Sequence, residues 1–335
     1  MQSLLHKVFG PEEVRIDNLT GRVALVTGGT LGIGYQVSRA LAHAGCKVVM
    51  VSRKQDQGES AVAEIRRETP GADVEWEECD LGNLGQIRSV FSGLRRSLAR
   101  LDFLVLSAGI NANRYALDSD GIERIFGVNC LGHYYVANQL WPRLRKTSLL
   151  PGVTGPRVVA VSSSLHQAAP SRAKFASLED INDPSLGPTE LYGRSKLGLI
   201  LMVRYGLFER VIKPTSDSIY ALAVHPGAVN TAMQDQWKDA YPGITGRLIS
   251  YVSKLAGRDP EQGSYSILWA LTAKEIDENH QNGLYFDDPG KLGSESSQAC
   301  DEKLGADLWQ LNEKLVKEKL GDDALIPWDT RSLDS

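Results

Sequence analysis

The sequence predicts an α/β fold, in which a doubly wound parallel sheet carries helices on both faces within a single domain. Short apolar runs alternate with helical stretches along the chain, and this alternation is typical of parallel sheets. The runs at residues 48–51 and 158–161 are apolar throughout, as strands buried on both faces are. A glycine-rich turn at residues 27–34 joins the first predicted strand to the first predicted helix.

Each predicted element has a pattern of its own. The strands are short apolar runs, the second of them rich in valine, and they fall at residues 22–27, 47–52, 74–79, 103–106, 157–161 and 219–224. The helices are the longer stretches between these runs, and they fall at residues 33–44, 58–69, 84–99, 121–144 and 191–211. We expect an N-terminal extension (1–18), the α/β domain (19–290) and a C-terminal helical extension (291–335).

Composition excludes several classes of protein. Of the 335 residues, 42% are hydrophobic and 23% charged, which excludes wholesale disorder. The 37 Lys and Arg residues are interspersed with 41 Asp and Glu residues, and this mixture predicts no nucleic-acid partner. The four cysteines are far apart and the histidines lack ligand spacing, so we predict no metal site and expect the histidines to be surface or capping residues.

The distribution of apolar residues along the chain predicts where the protein lies in the cell. No apolar run reaches the ~20 residues that a membrane span needs. We therefore expect a cytoplasmic protein, and the sequence leaves open peripheral contact with a membrane or lipid droplet. It also leaves open a homodimer.

The glycine-rich turn has the features of a phosphate-binding turn. The free N–H groups and the dipole at the start of a helix favour an anion. Gly28 would permit the tight turn, Gly32 the close approach of a pyrophosphate, and Gly34 the packing of helix on strand. The spacing is G-x-x-x-G-x-G, which differs from the G-x-G-x-x-G pattern. In its strand–turn–helix setting, the turn predicts a Rossmann-type dinucleotide site with contacts from Gly28, Thr30, Leu31, Gly32, Ile33 and Gly34.

The end of the second strand predicts which nucleotide is bound. An NAD site usually has an acidic residue there, which binds the ribose hydroxyls. This chain has Ser52 and Arg53 instead. A guanidinium binds a phosphate through two parallel charge-assisted hydrogen bonds, whereas an acid would repel it. We therefore predict NADP(H) in preference to NAD(H).

Further motifs follow in a fixed order along the chain. They are Asp80-Leu81, Ser107-Ala108-Gly109, Asn129, Ser163, Tyr192-x-x-x-Lys196 and Pro226-Gly227. Together with the glycine turn, they resemble the motifs of the short-chain dehydrogenase/reductase family over residues 19–285. Tyr285-Phe286 and Leu308-Trp309 further resemble the retinol-dehydrogenase and WW-domain-oxidoreductase branch of that family.

The resemblance implies roles for particular residues. The implied catalytic residues are Asn129, Ser163, Tyr192 and Lys196. The implied cofactor contacts beyond the glycine turn are Ser52, Arg53, Asp80, Leu81, Ser107, Ala108, Gly109, Asn129, Tyr192, Lys196, Pro226, Val229 and Thr231. Lys196 is expected to bind the nicotinamide ribose and to be linked to Asn129 through water.

The chemistry of carbonyl reduction gives independent support to Tyr192 and Lys196. The two residues are four apart, so on a helix they share a face. Hydride transfer to a carbonyl leaves an alkoxide that needs a proton, and a tyrosine can supply it if its phenolate is stabilised. A lysine ammonium and an oxidised nicotinamide both favour the phenolate. Among the consecutive serines Ser162, Ser163 and Ser164, the resemblance implies Ser163, the second residue after the strand, as the donor to the substrate oxygen.

Two residues depart from the family pattern. Ser107 stands where an asparagine is usual, and we expect altered anchoring of the sheet with cofactor binding retained. Leu31 stands where many NADP-specific members carry a basic residue, so the NADP(H) prediction depends mainly on Arg53.

The segment after Pro226-Gly227 predicts the kind of substrate. Residues 231–260 are expected to cover the active site, and Ile244, Leu248, Val252 and Leu255 share one helical face. A lid over a small lipophilic carbonyl or alcohol substrate, an interfacial helix and a helix packed on its own domain all fit this pattern.

Two functions remain open from sequence. The chain would be an NADP(H)-dependent enzyme that interconverts an aldehyde or ketone with an alcohol, or a catalytically silent NADP(H)-binding regulatory or lipid-surface protein. Retention of the Tyr192 and Lys196 pair favours the enzyme.

Overall fold

The computed structural model describes residues 11–111, 114–229 and 258–330. Within these residues one sheet has the strand order β3-β2-β1-β4-β5-β6-β7-β8. The first seven strands are parallel, and the last pairs antiparallel with β7 at the edge. The bounds are Val23–Thr27 (β1), Lys47–Ser52 (β2), Val74–Glu78 (β3), Phe103–Leu106 (β4), Arg157–Val161 (β5), Tyr220–Val224 (β6), Tyr285–Asp288 (β7) and Lys291–Leu292 (β8).

Helices connect the strands. They are Gly32–His43 (α1), Gln55–Glu68 (α2), Leu84–Ser97 (α3), Arg124–Phe126 (α4), Gly132–Ser148 (α5), Leu178–Ile181 (α6), Pro188–Leu201 (α7), Lys213–Thr215 (α8), Pro260–Thr272 (α9), Lys274–Glu278 (α10) and Glu302–Leu320 (α11). Two π-helical segments make continuous helices of their neighbours: Gly127–Leu131 joins α4 to α5, and Met202–Ile212 joins α7 to α8. No helix of the described chain combines the length and the apolarity that crossing a membrane would require.

The core lies in two layers, one on each face of the sheet. Successive residues of a strand point to opposite faces, so Leu25 packs with α3, α5, α7 and α11. Its neighbours Ala24 and Val26 pack with α1, α2 and α9. Because helices cover both faces, every residue of β1, β4 and β5 is buried. The predicted doubly wound α/β fold is therefore confirmed.

The predicted elements match the observed ones closely, with differences at helix starts. The second helix begins at Gln55 instead of residue 58, so Gly58 lies inside its first turn. The long helix begins at Pro188 instead of residue 191. Proline is well tolerated in the first helical turn, and the Glu190 carboxylate accepts a hydrogen bond from the Gly187 N–H (2.9 Å).

The last part of the described chain packs across the helices on one face. A segment at residues 324–328, here called the C-terminal strap, lies along α5. Tyr135 donates to the Ala324 carbonyl (3.1 Å). Asn138 both donates to the carbonyl of Ile326 (2.8 Å) and accepts from its N–H (3.0 Å). The side chain of Trp328 contacts Trp141, with ring centroids 5.5 Å apart. Strap and α5 are therefore joined by both polar and aromatic contacts.

Candidate active site

The glycine-rich turn lies where β1 leads into α1, at the carboxyl edge of the sheet. Gly28 and Gly32 have φ of 66° and 59°, values that favour glycine. A Cβ on Gly28 would lie 2.8 Å from Cα of Ala108, and a Cβ on Gly34 would overlap the Gly28 carbonyl. The turn is thus held against both α1 and the loop after β4 by contacts that only glycine permits.

The N-terminus of α1 is suited to an anion. Leu31 precedes the helix and supplies no capping side chain, and the first turn contains no acidic residue. Since the first N–H groups of a helix lack partners within it, they remain available to a phosphate. Thr30 is buried, and Leu31 is 56% exposed beside this turn. The cradle therefore fits the pyrophosphate of a dinucleotide.

Charged residues gather beyond the ends of β2 and β3. The Asp80 carboxylate accepts a hydrogen bond from the Gly82 N–H (2.9 Å). Its Oδ2 lies 3.3 Å from Nη2 of Arg124 and 3.8 Å from Nη1 of Arg53. Two guanidinium groups thus share one carboxylate, and the Arg53 side chain is 45% exposed. Leu81 is buried in the core.

Ser107 and Ala108 tie β4 to the start of the glycine turn. Both backbone N–H groups donate to Oγ1 of Thr27, at 3.0 and 3.1 Å. The Ser107 hydroxyl donates to the Thr27 carbonyl (2.5 Å). The anchoring expected of Ser107 is therefore made through Thr27, and Gly109 follows directly in the same loop.

Asn129 lies in the π-helical segment before α5, and its side chain makes three hydrogen bonds. Its Oδ1 accepts from the Ile110 N–H (2.8 Å), and its Nδ2 donates to the Ile110 carbonyl (3.0 Å). Nδ2 also lies 3.0 Å from Oγ of Ser195, the residue before Lys196. Asn129 thus joins the β4 loop to α7, while its expected water link to Lys196 stays a prediction.

His133 contributes a connection that the sequence did not predict. Its ring is fully buried. Nδ1 lies 2.9 Å from the Asn129 carbonyl and Nε2 lies 3.0 Å from Oγ1 of Thr27. An Nδ1–H that donates to the carbonyl leaves Nε2 to accept from the Thr27 hydroxyl. The expectation of a surface or capping histidine is wrong here, because the ring links the glycine turn to Asn129.

The predicted tyrosine, serine and lysine lie together at the start of α7 and the end of β5. Ser163 and Tyr192 are each 9% exposed, and the Ser163 side chain lies close enough to Tyr192 to lower its pKa. Nζ of Lys196 lies 5.5 Å from the centroid of the Tyr192 ring and donates to the Val161 carbonyl (2.7 Å). The neighbour Ser162 instead donates to the Lys196 carbonyl (2.8 Å).

Burial sets the ionisation of the tyrosine and the lysine. It raises the pKa of Tyr192 to about 12, against the opposing effect of the neighbouring Ser163 side chain. It lowers the pKa of Lys196 to about 8. At neutral pH the phenol therefore holds its proton, and the ammonium beside it is charged.

The loop after β6 is fixed in place by Arg258. Gly227 has φ of 85°, and a Cβ there would collide with the Arg258 side chain. Arg258 approaches the Pro226 carbonyl (3.4 Å), and Val229 is buried. Thr231 and most of the predicted lid, residues 231–260, lie outside the described residues.

The fold and the site define an oxidoreductase that binds a nicotinamide dinucleotide, and comparison with known sequences specifies the family. The sequence model of the family described as short chain dehydrogenase matches residues 22–175. A short chain dehydrogenase/reductase from Colletotrichum higginsianum is 32% identical over 317 residues, which cover 90% of this chain and 77% of that protein. The chain belongs to the short-chain dehydrogenase/reductase family, as the motifs predicted.

Other relatives and a solved structure are similar to most of the chain. Polyprenol dehydrogenase of Danio rerio is 31% identical over 317 residues, 93% of each chain. The WW domain-containing oxidoreductase of Drosophila melanogaster is 27% identical over 310 residues, 90% of this chain and 70% of that protein. A crystal structure of an uncharacterized protein from Mycobacterium Paratuberculosis has a TM-score of 0.68 and 27% identity, and covers 91% of this chain and 97% of that chain.

Proposed function

We propose that the protein is an NADP(H)-dependent oxidoreductase that interconverts a lipophilic aldehyde or ketone with its alcohol. The observation that carries this proposal is the position of Lys196 Nζ, 5.5 Å from the Tyr192 ring, with Ser163 close enough to Tyr192 to lower its pKa. The proposal places an acid, a hydrogen-bond donor and a cation around one reacting oxygen.

In the direction of reduction, Tyr192 acts as the acid. When bound, NADPH supplies the hydride that adds to the carbonyl carbon. The carbonyl oxygen gains negative charge, which the Ser163 hydroxyl stabilises by donating a hydrogen bond. The Tyr192 hydroxyl then transfers its proton to that oxygen, and the alcohol is formed. Because burial raises the pKa of Tyr192, the site favours the protonated phenol that reduction requires.

Lys196 and Asn129 support this step from either side. The Lys196 ammonium stabilises the phenolate that Tyr192 becomes, since an adjacent positive charge lowers the pKa of a phenol. Through Ser195 and Ile110, Asn129 holds α7 against the loop that follows β4. Lys196 thus assists the proton transfer directly, and Asn129 fixes the position of the helix that carries Tyr192.

Arg53 supports the choice of NADP(H). Its guanidinium is partly exposed, and its carboxylate partner Asp80 lies closer to Arg124. Exposed ion pairs at such distances contribute little free energy, so Arg53 can exchange this pairing for bidentate contact with a 2′-phosphate.

The nature of the substrate is supported by sequence alone. The apolar face within residues 237–257 suits a lid over a lipophilic compound. A relative named polyprenol dehydrogenase, 31% identical, supports a lipophilic alcohol or carbonyl compound. The same apolar face would suit contact with a lipid surface, which cosedimentation with vesicles of neutral phospholipid would test.

The test uses purified protein, NADPH and a panel of aldehydes and ketones. Tyr192→Phe removes only the hydroxyl, and we expect kcat to fall by about 10²–10⁴-fold, the usual contribution of general acid catalysis. Binding of NADPH should remain within twofold of wild type. Tyr205→Phe, which removes a hydroxyl outside the proposed site, serves as the matched control. Wild-type kcat in Tyr192→Phe would refute the mechanism, and NADPH binding without turnover of any substrate would favour the silent regulator.

A further inference from the structure

Trp76 makes a directed contact with the end of β2. Its indole Nε1–H donates to Oγ of Ser52, at 2.8 Å. In the parallel register Trp76 pairs with Met50, and Ser52 is two residues further along the same face of β2. Ser52 is the last residue of β2, and Arg53 follows it. The contact therefore acts at the position predicted to bind the 2′-phosphate.

The indole has little freedom to turn away from Ser52. Gly58 lies in the first turn of α2, and a Cβ at this glycine would overlap the ring atoms of Trp76. The ring, which belongs to a residue of β3, is thus packed directly against the backbone of α2. Packing at this distance fixes the direction of the N–H bond, because close-packed side chains occupy single rotamers.

The bond determines how Ser52 can interact with a ligand. An indole N–H is only a donor, while a hydroxyl has one proton to donate and lone pairs to accept. Ser52 accepts from Trp76, and its own proton has no acceptor among residues 11–111, 114–229 and 258–330. A hydroxyl that already accepts a hydrogen bond becomes a better donor. The Ser52 hydroxyl is therefore a good hydrogen-bond donor to a phosphate oxygen, because phosphate oxygens only accept.

We propose that Trp76 is a positioning residue for the 2′-phosphate of the cofactor, acting through the Ser52 hydroxyl. The inference rests on the proposed preference for NADP(H) and adds a second determinant to it. Arg53 supplies charge from a half-exposed side chain, and the Trp76–Ser52 pair supplies one donor of fixed direction. A ribose 2′-hydroxyl can donate as well as accept, so it depends less on this arrangement.

Two variants test the inference through cofactor affinity. Trp76→Phe keeps an aromatic ring over Gly58 and removes the N–H, and Ser52→Ala removes its acceptor. The measurement is the Kd of NADPH and of NADH by isothermal titration calorimetry. We expect each variant to weaken NADPH binding by about three- to tenfold, the range of one hydrogen bond, and NADH binding by less than twofold. The double variant should bind NADPH no more weakly than Ser52→Ala. Trp269→Phe, a buried tryptophan on α9, is the matched control.

The outcomes separate this inference from the function on which it rests. If wild type prefers NADPH and both variants keep that preference, Trp76 has no positioning role and the proposed function stands. Equal weakening of NADPH and NADH would mean that Trp76 only supports the fold, which also overturns the inference. If Trp76→Phe does not fold, Ser52→Ala alone decides, since an unchanged preference excludes any effect through Ser52. A wild type without preference for NADPH refutes both proposals.

Discussion

Acidification should destabilise the protein through His133, and the structure gives the size of the effect. Burial lowers the pKa of His133 from 6.5 to about 3. The folded protein therefore keeps this ring neutral at pH values where the unfolded chain binds a proton. The stability from this group is complete above pH 6.5 and is lost as the pH falls toward 3. At pH 5 the loss is about 2 kcal/mol, from 1.36 kcal/mol for each of the 1.5 units below 6.5.

The assay is urea unfolding at pH 7 and pH 5, followed by tryptophan fluorescence. His133→Gln cannot titrate, and its amide can still hydrogen-bond to Thr27 and Asn129. We expect the variant to be less stable than wild type already at pH 7. The decisive quantity is therefore the change in the free energy of unfolding between pH 7 and pH 5. We expect this change to be about 2 kcal/mol smaller in the variant than in wild type. Burial also lowers the pKa of His225, to about 4, so His225→Gln should give a similar reduction. Equal changes in wild type and His133→Gln would refute the reasoning.

Three further predictions concern cofactor, substrate and packing. Arg53→Asp should lower the ratio of kcat/KM for NADPH to that for NADH at least about tenfold. The reason is that a charge-assisted hydrogen bond of about 1.5–3 kcal/mol is replaced by repulsion. An unchanged ratio would mean that another residue binds the 2′-phosphate. For straight-chain aldehydes, kcat/KM should rise about fourfold per methylene until the pocket is full, from about 0.8 kcal/mol each, and a flat dependence would exclude a lipophilic pocket. Gly206→Ala should lower the free energy of unfolding by about 1–3 kcal/mol, since a Cβ there would overlap the Trp309 ring. Gly93→Ala in α3, where a Cβ meets open space, is the control and should not destabilise the protein.

The sequence predicted those elements of the fold whose own residues form a recognisable pattern. The bounds of β2, β4 and β5 agree with the predicted ones, because each is a continuous apolar run between polar residues. β7 and β8 were not predicted, since Tyr285–Asp288 contains only two apolar residues and Lys291–Leu292 only one. β7 pairs with β6, which lies more than sixty residues earlier in the chain, and β8 pairs in turn with β7.

The same distinction applies to the candidate site. Tyr192 and Lys196 could be chosen from spacing, because both lie on one helix. The link from His133 to Thr27 joins residues 106 apart, and a single histidine in an apolar helix gives no pattern that would predict it. The bond from Trp76 to Ser52 depends in the same way on the register of two strands. The sequence could not predict these contacts, because they join distant segments that only the fold brings together.

The C-terminal strap has a consequence for how the chain reaches its native state. Tyr135 and Asn138 are buried polar side chains whose partners, the backbone groups of Ala324 and Ile326, come 189 and 188 residues later. During synthesis on the ribosome, these hydrogen bonds of α5 cannot form until nearly the whole remaining chain has been made. Contacts of such long sequence separation form late and slowly, and the apolar surface left uncovered meanwhile is prone to aggregation. Changes in residues 324–328 should therefore act first on the yield of folded protein and only secondarily on catalysis, although these residues lie far along the chain from Tyr192.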